Sequence, residues 1–123
     1  MAEPRVRILV VEDETLLRLG IVDVLSDAGF EVFEARSAAG AIKILTAGEG
    51  IRAMFTDVEM PGAMNGLSLA WTVRDRWPTI KIVITSGHVR IVTADIPAPG
   101  HFFSKPYNPE SVARTLRALV GDA

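Results

Sequence analysis

The stretch Val6-Arg7-Ile8-Leu9-Val10-Val11-Glu12-Asp13-Glu14, residues 6–14, decides the fold of this chain. It begins with an almost unbroken β-branched and aliphatic run, which is typical of a strand covered on both faces, as in a parallel sheet. The run then stops at three consecutive acids. We therefore predict a buried first strand whose carboxyl end carries carboxylate side chains.

Outward from this stretch, strand and helix patterns alternate along the chain. Further apolar runs predict strands at about residues 30–35, 51–56, 80–84 and 102–103. Apolar stripes at helical spacing follow them, and the stripe after the first strand comprises Leu17, Ile21, Val24, Leu25 and Ala28. Ser37 and Asn108 are predicted helix caps, and Pro109 suits the first position of the last helix.

This alternation predicts an α/β fold, a doubly wound five-stranded parallel sheet with helices on both faces. The segment between Thr85 and Lys105 is short and contains Pro97 and Pro99, which favours a shortened fourth helix. For the strand order we assume 2-1-3-4-5, the flavodoxin-like (βα)5 arrangement.

Length and composition exclude several classes of protein. The 123 residues fit one domain, and 49% hydrophobic residues argue against a disordered chain. A net charge of -2 with scattered basic residues argues against direct nucleic-acid binding, and the absence of cysteine excludes disulfides and thiolate metal sites. We find neither a signal-peptide core nor an apolar run of about 18 residues, so we expect no membrane association and a cytoplasmic location.

Polar side chains follow four of the predicted strands. Glu12 and Asp13 end the first strand, Asp57 the third, Thr85 the fourth and Lys105 the fifth. In open parallel sheets, ligands bind beyond the carboxyl ends of the strands, where the strand order reverses. Two carboxylates at a separation of about 4 Å repel by roughly 4 kcal/mol at an effective dielectric of about 20. The acidic cluster therefore needs a cation or an uptake of protons.

An all-oxygen cluster favours Mg²⁺ over zinc, with Mn²⁺ as an alternative. A carboxylate beside such an ion can attack a phosphoryl group and form an acyl phosphate. Lys105 would help to neutralise the phosphoryl oxygens. Thr85 could donate its hydroxyl to a phosphoryl oxygen only after the transfer, so the same site would both react and report.

This constellation resembles the receiver domain family of bacterial response regulators, the CheY-like superfamily of two-component signalling. The resemblance covers residues 6–119. The matching segments are Val10-Val11-Glu12-Asp13-Glu14, Asp57 with Met60-Pro61 and Asn65-Gly66, Thr85-Ser86-Gly87, and Phe103-Ser104-Lys105-Pro106.

The resemblance implies a role for each strand-end residue. Asp57 would be the phosphoacceptor, and Asp13 and Asp57 would bind the metal directly, with Glu12 assisting and the Glu59 backbone carbonyl as another ligand. Lys105 would contact the phosphoryl group and be followed by a cis bond to Pro106.

Further features concern the switch and its surroundings. The resemblance implies that Thr85 moves toward the phosphoryl group while Phe102, three residues before Lys105, swings inward. Phe102 replaces the tyrosine that is frequent at this position. The loop after Asp57 is one residue longer than the commonest pattern, with Gly62 and Ala63 in the added region.

We expect a stand-alone receiver domain over residues 5–121 without an output domain. It would accept a phosphoryl group from a phosphohistidine on a histidine kinase or histidine phosphotransfer protein. Output would follow through binding to an unknown downstream protein or through onward phosphotransfer. We expect a monomer or a weak, phosphorylation-linked homodimer, and no enzyme beyond catalysis of its own aspartyl phosphorylation and dephosphorylation.

Two other functions remain open at this point. One is a receiver-like interaction module that never uses its phosphorylation site. The other is a flavodoxin-like cofactor protein or a small hydrolase. The acidic turn after the first strand would repel a cofactor phosphate, and Glu59 stands where aspartate-nucleophile phosphatases have a second aspartate.

Overall fold

The computed structural model describes residues 5–87, 96–97 and 100–121. Within them the strands are β1 (Arg7–Val11), β2 (Glu31–Ala35), β3 (Ile51–Asp57), β4 (Lys81–Ser86) and β5 (Gly100–Ser104). The helices are α1 (Thr15–Asp27), α2 (Ala38–Thr46), α3 (Gly66–Arg76) and α4 (Pro109–Val120). The predicted succession of strand and helix patterns is therefore confirmed in these ranges.

The strands form one parallel sheet in the order β2-β1-β3-β4-β5. This is the assumed order 2-1-3-4-5, and it confirms the doubly wound α/β fold. The order reverses beside β1, because the chain runs outward to β2 and then returns to β3 on the other side. The edge at the carboxyl ends of β1 and β3 is therefore the place where a ligand site is expected.

Alternate side chains of the central strands contact opposite layers of helices. On β1, Leu9 and Val11 belong to the core that includes residues of α2 and α3, whereas Ile8 and Val10 belong to the core that includes residues of α1 and α4. All four side chains are fully buried. Burying a side chain of this size contributes about 1.5–3 kcal/mol relative to exposure. The run that suggested a strand covered on both faces thus anchors both layers.

Three helices begin directly after a residue whose side chain caps the first backbone N–H groups. The side chain of Ser37 accepts a hydrogen bond from the Gly40 N–H at 3.1 Å, and that of Asn108 accepts one from the Glu110 N–H at 2.9 Å. Asn65 caps α3 in the same way, accepting from the Ser68 N–H at 2.9 Å. A cap satisfies backbone donors that have no partner within the helix, so each of these residues fixes where its helix begins.

The fourth strand differs from the sequence prediction, which ended it at residue 84. It continues through Thr85 and Ser86, which pair with Phe103 and Ser104 of β5. Both polar side chains are fully buried. Apolar patterning could not show this, because the hydroxyl groups are satisfied by specific partners rather than by water. The shortened helix predicted before β5 falls mainly on residues 88–95, outside the described residues.

Candidate functional site

Three carboxylates meet at the carboxyl edge of the sheet. Val11 of β1 is paired with Thr56 of β3, so the next residues, Glu12 and Asp57, emerge side by side. One carboxylate oxygen each of Glu12, Asp13 and Asp57 lies within 4.8 Å of the others. Glu12 and Asp57 are each only 2% exposed, whereas Asp13 faces solvent. The structure thus brings together the three acids that the sequence indicated.

Lys105 completes this cluster from the end of β5. Its ammonium nitrogen Nζ lies 3.0 Å from Oδ2 of Asp57 and 3.5 Å from Oε1 of Glu12. The backbone N–H of Lys105 donates to the Ser86 carbonyl at 2.9 Å, which fixes the start of the loop. The bond from Lys105 to Pro106 is cis, as the family resemblance implied.

Burial and charge together set the protonation of the cluster. Burial raises the pKa of both Glu12 and Asp57 above their ordinary values, and each has a further carboxylate nearby that adds to the rise. Burial alone would lower the pKa of Lys105, but its hydrogen bond with Asp57 and the charges of both acids raise it. Burial and the Glu12 carboxylate raise the pKa of Tyr107 to about 12, so this neighbouring phenol stays neutral. The site therefore favours additional positive charge.

The oxygens of Glu12 show why a cation fits. Its Oε2 accepts a hydrogen bond from the Glu14 N–H at 3.0 Å. Its Oε1 is buried and accepts no hydrogen bond from the described residues, and the Lys105 ammonium lies at 3.5 Å. A buried carboxylate oxygen without a hydrogen bond is costly, and a hard cation with oxygen ligands would satisfy it. The donor set is thus suited to a divalent ion such as Mg²⁺.

Thr85 lies beside Asp57 but its hydroxyl is engaged elsewhere. The two residues are register partners of β3 and β4. Oγ1 of Thr85 donates to the Phe103 carbonyl at 2.8 Å. Phe102, the register partner of Ile84, is partly buried and packs against the core that includes residues of α2 and α3. Thr85 thus lies next to the site with its hydroxyl bonded to β5, whereas Phe102 lies on β5 beside the residue that precedes Thr85.

Glu59 makes contacts that the sequence did not indicate. Its carboxylate accepts hydrogen bonds from the Ser86 hydroxyl at 2.5 Å and from the Gly87 N–H at 3.1 Å. Its backbone N–H lies 3.4 Å from Oδ1 of Asp57. The family resemblance implies a metal-ligand role for the Glu59 carbonyl and a position, two residues after Asp57, that tunes phosphoryl lifetime, but it implies no partner for the carboxylate. No sequence signal pairs an acid after β3 with a serine at the end of β4.

Arg18 is a second residue that the sequence analysis missed. It is 9% exposed on α1, where its guanidinium donates to the Glu12 backbone carbonyl and to the Glu34 carboxylate, both at 3.1 Å. Arg18 thereby holds the peptide group that leads into Asp13. Its place three residues before Ile21 and seven before Leu25, on the buried face of α1, was a usable signal, because a buried charge requires partners.

Gly66 is required by a close approach of two backbone segments. A Cβ atom at this position would lie 1.7 Å from the Asp57 carbonyl oxygen. The Gly66 N–H also donates to the Val58 carbonyl at 2.9 Å. The start of α3 therefore packs directly on the backbone of the central acid, which explains the Asn65-Gly66 pair physically.

Comparison with known proteins agrees with this geometry. Residues 8–117 match the family described as response regulator receiver domain, and the chain belongs to that family. It is a receiver domain of CheY-like response regulators, which implies phosphorylation-dependent two-component signalling. Such domains are signalling switches rather than classical enzymes, and they interact with histidine kinases and downstream targets.

The chain spans very different shares of the individual relatives that it matches. The chain is 30% identical to the chemotaxis protein CheY homolog of Campylobacter jejuni over 94% of this chain and 92% of that protein. It is 32% identical to the sensor kinase CckA of Brucella abortus over 92% of this chain, but spans only 12% of the kinase. A crystal structure of a response regulator receiver protein from Sinorhizobium medicae is 31% identical, covers 94% of both chains and superposes with a TM-score of 0.87.

A membrane-spanning helix would need a long and continuous apolar segment. None of the helices in the described part of the chain combines that length with that character.

Proposed function

We propose that Asp57 is the phosphoacceptor of this receiver domain. The observation that carries the proposal is the position of its carboxylate, which is buried between the Lys105 ammonium at 3.0 Å and the acidic pair Glu12 and Asp13 that follows β1. A carboxylate attacks a phosphoryl group only where the charge on the phosphoryl oxygens is neutralised. Lys105 supplies one positive charge at this point, and the acids can hold a second cation.

The phosphodonor is a phosphohistidine on a histidine kinase or a histidine phosphotransfer protein. The N–P bond of the donor breaks as a bond forms between phosphorus and a carboxylate oxygen of Asp57. The bonding electrons remain on the imidazole nitrogen, which then takes up a proton. The product on this chain is an acyl phosphate, so the domain promotes its own modification without being a turnover enzyme.

The acidic cluster would hold Mg²⁺, or Mn²⁺ in its place. Asp13 and Asp57 would be direct ligands, the Glu59 carbonyl another, and Glu12 would assist. When bound, the ion neutralises charge on the phosphoryl oxygens. The hydrogen bond from the Glu14 N–H holds the Glu12 side chain beside the site, and Arg18 holds the peptide that precedes Asp13. These contacts preorganise the acids before any ion arrives.

Phosphorylation would be read by Thr85 and Phe102. The Thr85 hydroxyl leaves the Phe103 carbonyl and donates to a phosphoryl oxygen, while Lys105 exchanges the Asp57 carboxylate for the phosphoryl group. Phe102 then moves further into the space beside β4. The altered face changes the affinity for a downstream protein or allows onward phosphotransfer. Residues 5–121 would act as this unit, and a cytoplasmic location remains a prediction.

The acceptor can be tested with a small-molecule phosphodonor and intact mass spectrometry. Wild-type protein is expected to gain one phosphoryl group in the presence of Mg²⁺ and none after chelation. Asp57→Asn should gain none under either condition. Asp75→Asn, which removes an exposed acid of α3, is the matched control and should behave like wild type. Equal labelling of Asp57→Asn and wild type, or no labelling of wild type with Mg²⁺, would contradict the proposal.

A further inference from the structure

The carboxylate of Glu59 joins two loops that approach the phosphorylation site from different strands. Glu59 follows β3, whereas its partners Ser86 and Gly87 lie at the end of β4 and just beyond it. The two hydrogen bonds measure 2.5 Å to the Ser86 hydroxyl and 3.1 Å to the Gly87 N–H. We call this pair of hydrogen bonds the Glu59 clasp.

The clasp holds the segment that carries the switch threonine. Ser86 directly follows Thr85, and both side chains are fully buried. The Ser86 carbonyl also accepts the hydrogen bond of the Lys105 N–H at 2.9 Å. Glu59 is thus connected through one residue to both Thr85 and Lys105, and the ends of β3, β4 and β5 are held as one unit.

We propose that the Glu59 clasp is a latch that stabilises the unphosphorylated arrangement and opens when Asp57 carries a phosphoryl group. The inference rests on the proposed phosphorylation of Asp57 and adds a positioning residue to it. In this proposal the end of β4 moves as the Thr85 hydroxyl turns from the Phe103 carbonyl toward Asp57. The clasp opposes that movement because it fixes the next two residues to the β3 loop.

Electrostatic repulsion between phosphorylated Asp57 and the Glu59 carboxylate favours opening of the latch. The Glu59 carboxylate is near enough to Asp57 that its charge contributes to the raised pKa of that acid. A phosphoryl group on Asp57 brings further negative charge to the same region. The closed position of Glu59 then becomes less favourable, while Thr85 gains a new acceptor. Both changes favour the open arrangement.

Binding of beryllofluoride in saturating Mg²⁺, measured by calorimetry, tests the latch. The decisive variant is Ser86→Ala, because it removes the shorter of the two hydrogen bonds of the clasp and keeps the charge of Glu59. We expect it to bind the phosphoryl mimic roughly tenfold more tightly, the change that follows when a hydrogen bond to a charged group no longer restrains one state. Glu59→Gln should also bind more tightly, and the double variant should gain less than the sum of the single effects.

Matched controls separate the latch from general effects of charge or of serine removal. Ser26→Ala and Glu110→Gln alter exposed residues of α1 and α4 and should bind as wild type does. Unchanged or weaker binding by Ser86→Ala overturns the latch, even if Glu59→Gln binds more tightly, because charge alone would then explain the result. Additive effects in the double variant overturn it as well.

A second measurement needs neither metal nor mimic. Amide hydrogen exchange at Gly87, followed by NMR in the metal-free protein, should be about tenfold faster in Glu59→Ala than in wild type, because its acceptor is lost. Equal exchange rates overturn the clasp. If wild type binds no beryllofluoride with Mg²⁺, both the latch and the proposed phosphorylation are overturned; if wild type binds and the variants match it, only the latch is.

Discussion

The ammonium nitrogen of Lys105 lies 3.0 Å from Oδ2 of Asp57, across a separation of 48 residues in the chain. The parallel strands β3, β4 and β5 end at the same edge of the sheet. The Lys105 side chain can therefore reach across the end of β4 to Asp57. In the described structure Lys105 compensates part of the charge of two buried acids. Under the proposed function, the same position would let Lys105 contact a phosphoryl group on Asp57.

Replacing Lys105 should slow phosphorylation strongly. In Lys105→Gln the phosphoryl oxygens lose a charged donor, and loss of one such donor typically reduces a rate by about 10²–10³-fold. The measurement is the rate of mass gain with a small phosphodonor and Mg²⁺, after circular dichroism has shown a folded variant. Lys43→Gln, which removes an exposed lysine of α2, should retain the wild-type rate. A wild-type rate for Lys105→Gln would exclude its proposed contact.

The pKa shifts of the acids predict an unusual dependence of stability on pH. Burial raises the pKa of Glu12 above 4.5 and that of Asp57 above 3.8. Between these ordinary values and the raised ones, the folded protein binds more protons than the unfolded chain. The contribution of the two acids to the free energy of unfolding is therefore fully favourable below the ordinary values and is lost as the pH rises through the raised ones.

Asp57→Asn should consequently be more stable than wild type at pH 7 without metal. We expect a gain of about 1 kcal/mol, or a rise in Tm of about 4 °C for a domain of this size. The gain should shrink as the pH falls through the raised pKa of Asp57, because the wild-type carboxylate then becomes protonated and loses its charge. Thermal melts of both proteins across this range provide the measurement, with the exposed-site variant Asp75→Asn as control. A gain independent of pH would show that the charge of Asp57 is not its cause.

Sequence reasoning anticipated the parts of the site that depend on strand ends. Glu12, Asp57 and Lys105 follow apolar runs, and a parallel sheet necessarily brings such positions to one edge. It missed Arg18 and the carboxylate of Glu59, since their partners are a backbone carbonyl and the end of a distant strand. Polar side chains of this kind carry no periodic pattern. Their roles depend on distances that only the packed chain defines.

Arg18 should stabilise both the fold and the metal site. In Arg18→Leu the Glu12 carbonyl loses its guanidinium donor, and a hydrogen bond to a charged group contributes about 1.5–3 kcal/mol. We expect a comparable loss in the free energy of unfolding and weaker Mg²⁺ binding, measured by urea unfolding and calorimetry. Glu34→Gln is the matched control, because it removes the charge of the exposed partner and leaves the Arg18 contact with Glu12. Unchanged Mg²⁺ affinity in Arg18→Leu would limit its role to stability.

The contact of α3 with the backbone of Asp57 predicts opposite effects of two glycine substitutions. Gly66→Ala would place a Cβ atom 1.7 Å from the Asp57 carbonyl oxygen, so the loop or the start of α3 must move. Such overpacking typically costs about 1–3 kcal/mol. At Gly20, inside α1, a Cβ atom would meet no atom within 4 Å.

Gly20→Ala should therefore stabilise the domain by about 0.5–1 kcal/mol through its better helix propensity. Urea unfolding of both variants measures the difference, and their phosphorylation rates show its consequence for the site. Gly66→Ala should also phosphorylate more slowly, since the displaced backbone belongs to the proposed acceptor, whereas Gly20→Ala should keep the wild-type rate. Full stability and reactivity in Gly66→Ala would mean that the close approach is not required, and that the loop after Asp57 can shift without disturbing its carboxylate.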